Sequence, residues 1–266
     1  MSELWHYRDL LIQLVRREIV VRYRHSILGI GWALLQPLSL MLLFTFVFAR
    51  HMLPADKLRE LGAPYPLWVY MGLLPWTLFA MGLTNATQNL AAQRDLVTKV
   101  YFPQQILPLS GIASAFFDFC VASIVVVGLV FYYQTTSDWK PLISPTLLLL
   151  PVVIAVQLLL MIGLGLWLAL GNLWFRDVKY LFSVSIQMWM FLSNVIYPLD
   201  NGSTAVRLIA MLNPMVPIIS AYRRIMIEGR LPDAVPFMSA TVIAIILAVS
   251  SWEAYRRLEG RFAERI

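Results

Sequence analysis

The sequence has few of the residues on which soluble enzymes depend. Only 14% of its 266 residues are charged, while 59% are hydrophobic; soluble domains carry about 25% charged residues. So little charge cannot cover the surface of a soluble domain, which excludes that class of protein. The single cysteine, Cys120, lies in an apolar run and excludes an intrachain disulfide and any multi-cysteine metal site. We therefore predict no metal site.

Catalytic and nucleotide-binding motifs are also absent from the sequence. There is no Gly-Lys dipeptide, so there is no P-loop, and neither HExxH nor GxSxG occurs. The three histidines, His6, His25 and His51, are far apart along the chain. We therefore predict a chain that is not itself an enzyme and holds no cofactor of its own.

Long apolar runs are what the sequence has instead. A helix that crosses about 30 Å of hydrocarbon needs roughly 20 apolar residues. Six stretches hold a run of that length: 27–49, 61–93, 106–133, 141–175, 180–199 and 234–252. Backbone groups in lipid must bond within their own segment, which favours helices. We predict an all-α integral membrane protein with six transmembrane helices.

Three features inside these spans have a structural interpretation. The Gly-rich stretches "LGIG" (28–31) and "GLGL" (163–166) are predicted to let transmembrane helices pack closely. Asp118 is the one acidic residue of the third span. A buried acid in lipid is energetically unfavourable and indicates a function. It either lines a translocation path or hydrogen-bonds a neighbouring helix, and the sequence leaves both open.

The apolar stretch 208–222 does not fit the length rule. It has 15 residues and contains Pro214 and Pro217, so it is too short and too interrupted for a span. We predict a re-entrant helical segment, about 205–228, between spans five and six, in preference to a seventh span.

Arginine and lysine placement predicts the orientation. Six spans put both termini on one side of the membrane, together with 13 of the 21 Lys and Arg residues. The basic clusters at both ends of the chain favour the cytoplasm for that side.

The first 25 residues are polar and basic, unlike a cleavable secretory signal. Within them, apolar residues share one helical face and polar residues share the other. The apolar face has Leu4, Tyr7, Leu11, Leu14 and Val15, and the polar face has Asp9, Gln13, Arg16 and Arg17. We predict an interfacial amphipathic helix in residues 1–25, a transmembrane domain in 26–256 and a cytoplasmic tail in 257–266. Arg8, Arg16 and Arg17 are interpreted as topology anchors.

Residues 91–108 join spans two and three. Polar residues at 93–95 precede a small apolar group, and Pro103 follows. This pattern is typical of a short amphipathic helix that docks on another protein. A plain loop is equally compatible with it.

Several motifs carry a resemblance to a known family. They are "RYRHSILGIGWALLQPL", "GLLPWTLFA", "VTKVYFPQQILPL", "LWFRDVKYL", "NVIYPL" and "LNPM" followed by "YRR". Their order and spacing, from about residue 8 to the C-terminus, resemble the permease subunit of ABC-2 type transporters. The most similar subgroup is that of bacterial exporters of O-antigen, capsule or teichoic acid polysaccharides.

The resemblance implies a fold, partners and sites. It implies a homodimer in the bacterial inner membrane, paired with two copies of a P-loop ATPase that binds ATP and magnesium, and no nucleic-acid partner. The substrate implied is a lipid-linked polysaccharide. A coupling helix, about 92–101, is implied to contact the ATPase through Arg94, Asp95, Leu96, Val97, Lys99 and Tyr101. The re-entrant exit is implied to include Asn213, Pro214, Pro217, Tyr222, Arg223 and Arg224.

The chemistry of such a substrate assigns further candidates. A lipid pyrophosphate is bound best by arginine forks, and Arg22 and Arg24 lie nearest the first span; the alternative is that they only anchor the topology. A sliding sugar chain needs aromatic faces. The candidates are Trp32, Phe44, Phe46, Phe48, Trp76, Phe79, Trp189, Phe191 and Tyr197. An exporter of small amphiphiles or drugs, and a non-ABC transporter or membrane enzyme, are the alternative functions.

Overall fold

The computed structural model describes residues 7–24, 26–93, 102–140, 144–198 and 212–262. All regular structure within these ranges is helical. The α-helices are α1 Arg8–Tyr23, α2 Gly31–Phe44, α3 Ala55–Glu60, α4 Tyr65–Ala92, α5 Ile106–Thr136, α6 Leu150–Trp174, α7 Val178–Phe191, α8 Met215–Arg223 and α9 Ala234–Phe262. The π-helical turns Thr45–Ala49 and Arg224–Glu228 continue α2 and α8, and the 3₁₀ turn Pro145–Leu149 leads into α6.

Five of the described helical stretches are long and apolar enough to cross a membrane. They are Gly31–Ala49, Tyr65–Ala92, Ile106–Thr136, Pro145–Trp174 and Ala234–Leu258. These stretches correspond to predicted spans one, two, three, four and six. The prediction of an all-helical membrane protein is therefore confirmed.

The predicted fifth span, 180–199, contains a shorter helix. Helix α7 has 14 residues, or about 21 Å at 1.5 Å per residue. Asn172, just before it, donates to the carbonyl of Thr87 at one end of α4 (2.9 Å). The carbonyl of Ile196 accepts from Tyr65 at the other end of α4 (2.7 Å). This segment thus leads from one end of the bundle to the other, but the count of six spans stays a prediction.

Helix α4 lies at the centre of the bundle and packs against α2, α5, α6, α7 and α8. Glycines allow the closest of the helix contacts around it. A Cβ on Gly111 of α5 would lie 2.9 Å from the backbone nitrogen of Ala86 in α4, and one on Gly163 of α6 would lie 2.7 Å from that of Ala248 in α9. The packing role predicted for "GLGL" is therefore confirmed. The same prediction for "LGIG" is wrong, because Gly29 has φ +52° in the turn before α2 and a Cβ there meets no atom within 4 Å.

Helix α8 shows how the proline-rich stretch folds. Pro214 is its N-cap residue and Pro217 lies in its first turn, where a missing N–H breaks no helical hydrogen bond. The helix is only 9 residues long, and residues such as Ile218 and Tyr222 are buried in the core. The chain between 199 and 211 is outside the described residues, so a re-entrant pair of helices stays a prediction.

Helix α1 packs along the start of α5. Leu14 is buried in a cluster with residues of α4, α5 and α6, while the predicted polar face of Asp9, Gln13, Arg16 and Arg17 is exposed. Apolar Val20 and Val21 are exposed as well, so the helix has a weaker amphipathic division than the sequence predicts. Whether it lies in the membrane interface stays a prediction.

Candidate functional site

A polar cluster forms where the end of α1 meets the middle of α5. Arg22 forms an ion pair with Asp118 through Nη1, and its Nη2 lies 3.4 Å from Oγ of Ser114. The hydroxyl of Tyr23 donates to the other carboxylate oxygen of Asp118 (2.7 Å). Asp118 is 8% exposed as a residue, and both of its carboxylate oxygens have a donor from α1.

Matching polar rows on the two helices produce this cluster. Ser110, Ser114 and Asp118 are four residues apart and share one face of α5, while Glu18 and Arg22 share one face of α1. Ser110 donates to the carboxylate of Glu18, one turn before Arg22 reaches Ser114 and Asp118. The two helices thus run in the same direction, with their polar rows in register.

The environment of Tyr23 favours its protonated form. Burial is the largest of the causes that raise the pKa of Tyr23 to about 12. The hydrogen bond to Asp118 and the negative charge of that carboxylate act in the same direction, and the nearby charge of Arg22 partly opposes them. The phenol therefore remains a hydrogen-bond donor throughout the physiological range.

A cavity of about 380 Å³ opens beside the cluster. The end of α1, the turn after it, α2, α4 and α5 form its walls. Besides Arg22, Tyr23 and Asp118, its polar and aromatic lining includes Ser26, Trp32, Gln36 and Thr77. The Oγ of Ser26 is shielded from solvent and has no hydrogen-bond partner among the described residues.

The two predicted headgroup arginines differ in their surroundings. Arg22 is engaged by Asp118, whereas the side chain of Arg24 is exposed. Among the residues that the structure describes, none forms an ion pair with Arg24. Their role toward a substrate stays a prediction.

The nine predicted channel aromatics do not form one continuous surface within a single chain. Trp32, Phe46 and Phe191 are exposed, Phe44, Phe48, Trp189 and Tyr197 are partly buried, and Trp76 and Phe79 are buried. The buried and partly buried members contact each other, as in the 5.2 Å edge-on pair of Phe79 and Trp189. Their function as a lining stays a prediction.

The predicted coupling residues, Arg94, Asp95, Leu96, Val97, Lys99 and Tyr101, lie outside the described residues. Within the described ranges, no group of histidine, cysteine and acidic side chains is arranged to hold a metal ion.

The predicted exit residues of α8 hold that helix in place. Arg223 is buried and donates to the carbonyls of Trp68 (3.1 Å), Asn194 and Val195 (2.7 Å). Its guanidinium carbon lies 3.3 Å from the centre of the Trp68 ring. The next residue, Arg224, instead forms an ion pair with Asp233 at the surface.

Asn213 and Tyr222 connect α8 to its neighbours. The side-chain oxygen of Asn213 accepts from the indole of Trp189 (2.9 Å) and from the backbone N–H of Met215 (3.0 Å). Tyr222 donates to Gln157 (2.8 Å), whose amide donates to the carbonyl of Pro75 (2.7 Å).

The sequence interpretation missed several of these residues, among them Ser26, Gln36, Ser114 and Gln157. Two signals were available. A row of polar residues four positions apart runs through the otherwise apolar α5, and Gln157 is an amide between two long apolar stretches of α6. A buried uncharged polar side chain in a span needs a hydrogen-bond partner. This requirement alone predicts that Gln157 bonds to a neighbouring helix.

Comparisons with known proteins agree with this architecture. The ABC-2 type transporter family profile matches residues 9–227. The chain is 34% identical, over 99% of its length and 98% of the relative, to the "O-antigen export system permease protein RfbA" of Myxococcus xanthus. It is 27% identical, over 96% of its length and 94% of the relative, to a protein of the same name from Klebsiella pneumoniae. The resemblance carried by the sequence motifs is thereby confirmed, and the chain belongs to the ABC-2 type transporter family.

Proposed function

We propose that this chain is the membrane permease of an ABC exporter that moves a lipid-linked polysaccharide of the O-antigen type across the cytoplasmic membrane. The observation that carries the proposal is the similarity, over nearly the full length of both chains, to permeases named for O-antigen export. The five long apolar helices support a membrane location.

The proposed assembly contains two copies of this chain and two copies of an ATPase. No Gly-Lys dipeptide occurs in the sequence, and the P-loop ATPase is therefore proposed to be a separate subunit. The segment 92–101 is proposed to dock on it. The segment from Val178 to Ile196, which leads from one end of the bundle to the other, supports a sixth span. Six spans place both termini on the same side, proposed to be the cytoplasm.

The proposed entry step uses the two arginines at the end of α1. The exposed Arg24 makes the first contact with a pyrophosphate. Arg22 contacts the pyrophosphate next. Its guanidinium then binds a phosphate oxygen, either in place of Asp118 or together with it. A carboxylate and a phosphate both bind the planar set of N–H donors on a guanidinium. The attraction between opposite charges is stronger where water is partly excluded.

The proposed translocation path follows aromatic faces. Of the nine candidates, Trp32, Phe46 and Phe191 are exposed in the single chain and are available to a channel between two copies. Flat apolar rings stack on sugars without holding them tightly, so a long chain can slide past. Helix α8, fixed by Arg223, is proposed to lie beside the outer exit.

The headgroup role is tested by removing both arginines. Arg22→Ala with Arg24→Ala is expected to abolish export while the permease still co-purifies with its ATPase. The measurements are surface polymer by immunoblot and the amount of ATPase recovered with tagged permease.

The matched control is Arg16→Ala with Arg17→Ala, which removes two exposed arginines of the same helix and is expected to leave export intact. Unchanged export in the Arg22 and Arg24 variant contradicts the headgroup role. A permease that binds no ATPase contradicts the proposed function itself.

A further inference from the structure

The cavity beside Arg22 is lined for an uncharged ligand. The strongest charges in its wall are those of Arg22 and Asp118, and these already neutralise each other. A second anion bound deep in the cavity would face the buried carboxylate of Asp118 and be repelled by it. The remaining polar groups are hydroxyls and one amide, which neither require nor favour a net charge on the ligand.

These groups have the composition of a sugar-binding site. Gln36 presents an amide that both donates and accepts, and Trp32 presents an indole that is 49% exposed. Ser26 lines the same cavity, and its hydroxyl has no hydrogen-bond partner among the described residues. A ligand that carries several hydroxyls would bond to Gln36 and stack on the ring of Trp32. It would also reach Ser26 once that shielded hydroxyl rotates toward the cavity about the Cα–Cβ bond.

Size and place restrict the ligand further. The volume of about 380 Å³ lies at the low end of the range of roughly 300–1,000 Å³ for small-molecule sites. It suits one sugar ring rather than an oligosaccharide. The cavity also adjoins the end of α1, where the proposed function places the pyrophosphate.

In a lipid-linked polysaccharide the pyrophosphate is bonded directly to the first sugar. We propose that the cavity binds this first sugar residue, next to the headgroup contacts, and so lets the permease distinguish a glycosylated lipid from the bare lipid pyrophosphate. This inference rests on the proposed function, because it assumes that a lipid pyrophosphate binds at Arg22 and Arg24.

The test compares two probes on the complete complex of permease and ATPase in lipid nanodiscs. One probe is a short-chain polyprenyl pyrophosphate, and the other is the same molecule carrying a single N-acetylglucosamine. The glycosylated probe is expected to bind about tenfold more tightly, as two or three added hydrogen bonds and one stacking contact provide. Ser26→Ala combined with Gln36→Ala is expected to reduce this preference to about twofold or less, without changing the affinity for the bare probe.

Matched variants control for general effects of these substitutions. Ser239→Ala combined with Gln187→Ala removes the same two side-chain types at exposed positions on α9 and α7, and the preference is expected to stay at its wild-type value. Equal binding of both probes by the wild type overturns the sugar site and leaves the headgroup role standing.

Loss of both probes in the Ser26 and Gln36 variant also overturns the sugar site, because the cavity would then serve the headgroup. If the wild type binds neither probe, the headgroup role and the sugar site are both refuted.

Discussion

Two buried or half-buried arginines, one toward each end of the bundle, are held by different kinds of acceptor. Arg22 pairs with the carboxylate of Asp118, keeps 26% of its side chain exposed and lies beside a cavity. Arg223 is 5% exposed and donates to main-chain carbonyls of Trp68 and of the turn at 194–195. No carboxylate among the described residues forms an ion pair with it.

The difference shows which arginine can change partners. A side-chain carboxylate can rotate away, and another anion can take its place without any movement of the backbone. The carbonyls of Asn194 and Val195, just beyond the end of α7, are fixed in the backbone and cannot rotate away. Arg22 therefore suits a contact that forms and breaks, whereas Arg223 suits a permanent connection between α8, α4 and the turn after α7.

Arg223→Met is the largest expected effect. Methionine fills part of the volume but leaves the carbonyls of Asn194 and Val195 without the donor they have in the structure, each costing about 1–3 kcal/mol when unsatisfied. We expect a loss of at least about 2 kcal/mol in stability, measured as a lower thermal transition and a lower yield of monodisperse protein. Arg224→Met is the matched control. It removes a partly exposed ion pair and is expected to cost no more than about 1 kcal/mol.

Gly72→Ala tests the position of Arg223 without replacing Arg223 itself. A Cβ on Gly72 would lie 2.2 Å from Nη2 of Arg223 and 2.8 Å from the carbonyl oxygen of Val195. Gly72→Ala is therefore expected to destabilise by about 1–3 kcal/mol. Gly128→Ala, where a Cβ meets no atom within 4 Å, is expected to be neutral or slightly stabilising. Equal stability of the two alanine variants would show that Arg223 is not held in the way described.

The sequence predicts the long spans well because their signal is local. Apolar length alone, interrupted in the third span only by Asp118, locates the five long apolar helices, because the thickness of the hydrocarbon sets that length. The end of α7 at Phe191 is different. The turn that follows it is held by Arg223 and by Asn213, which donates to the carbonyl of Leu192 (3.2 Å). Contacts from residues 20 or more positions away cannot be read from the apolar run itself.

The sequence predicts Arg22 and Asp118 individually as functional candidates, but it does not predict that they contact each other. Arg22 and Asp118 each carry a signal, one as a basic residue near a span and the other as an acid inside one. Their contact depends on the direction in which α1 packs on α5, which is a tertiary property. The neighbours Arg223 and Arg224 look alike in sequence, yet successive helical residues point about 100° apart. One therefore faces the core and the other the surface.

Asp118→Asn is expected to have an intermediate effect. The asparagine keeps an acceptor for Arg22 but loses the opposing charge, and the partly exposed guanidinium is less costly to leave unpaired than a fully buried one. We expect a loss of about 1–3 kcal/mol, measured by thermal unfolding of the permease with its ATPase, and weaker export.

The charge-swapped pair, Arg22→Asp with Asp118→Arg, separates structure from transport at this site. It restores an ion pair between α1 and α5, so stability is expected to recover. Export is not expected to recover, because the arginine now extends from α5 and no longer lies next to Arg24 at the end of α1. Full recovery of export would mean that the pair serves only to hold the two helices together.

Tyr23→Phe is expected to have the smallest effect and refines the description of the Arg22 cluster. It removes one hydrogen bond to Asp118, worth about 1 kcal/mol. The pKa of Tyr23 is raised from 10.0 to about 12 in the folded protein, so folding favours the protonated phenol. Its contribution to stability is complete below pH 10 and is lost as the pH rises toward 12. The difference in thermal stability between wild type and Tyr23→Phe should therefore be constant near neutral pH and shrink above pH 10. A difference that grew in that range would mean that the phenol ionises more easily when folded, and would place Tyr23 nearer to Arg22 than to Asp118.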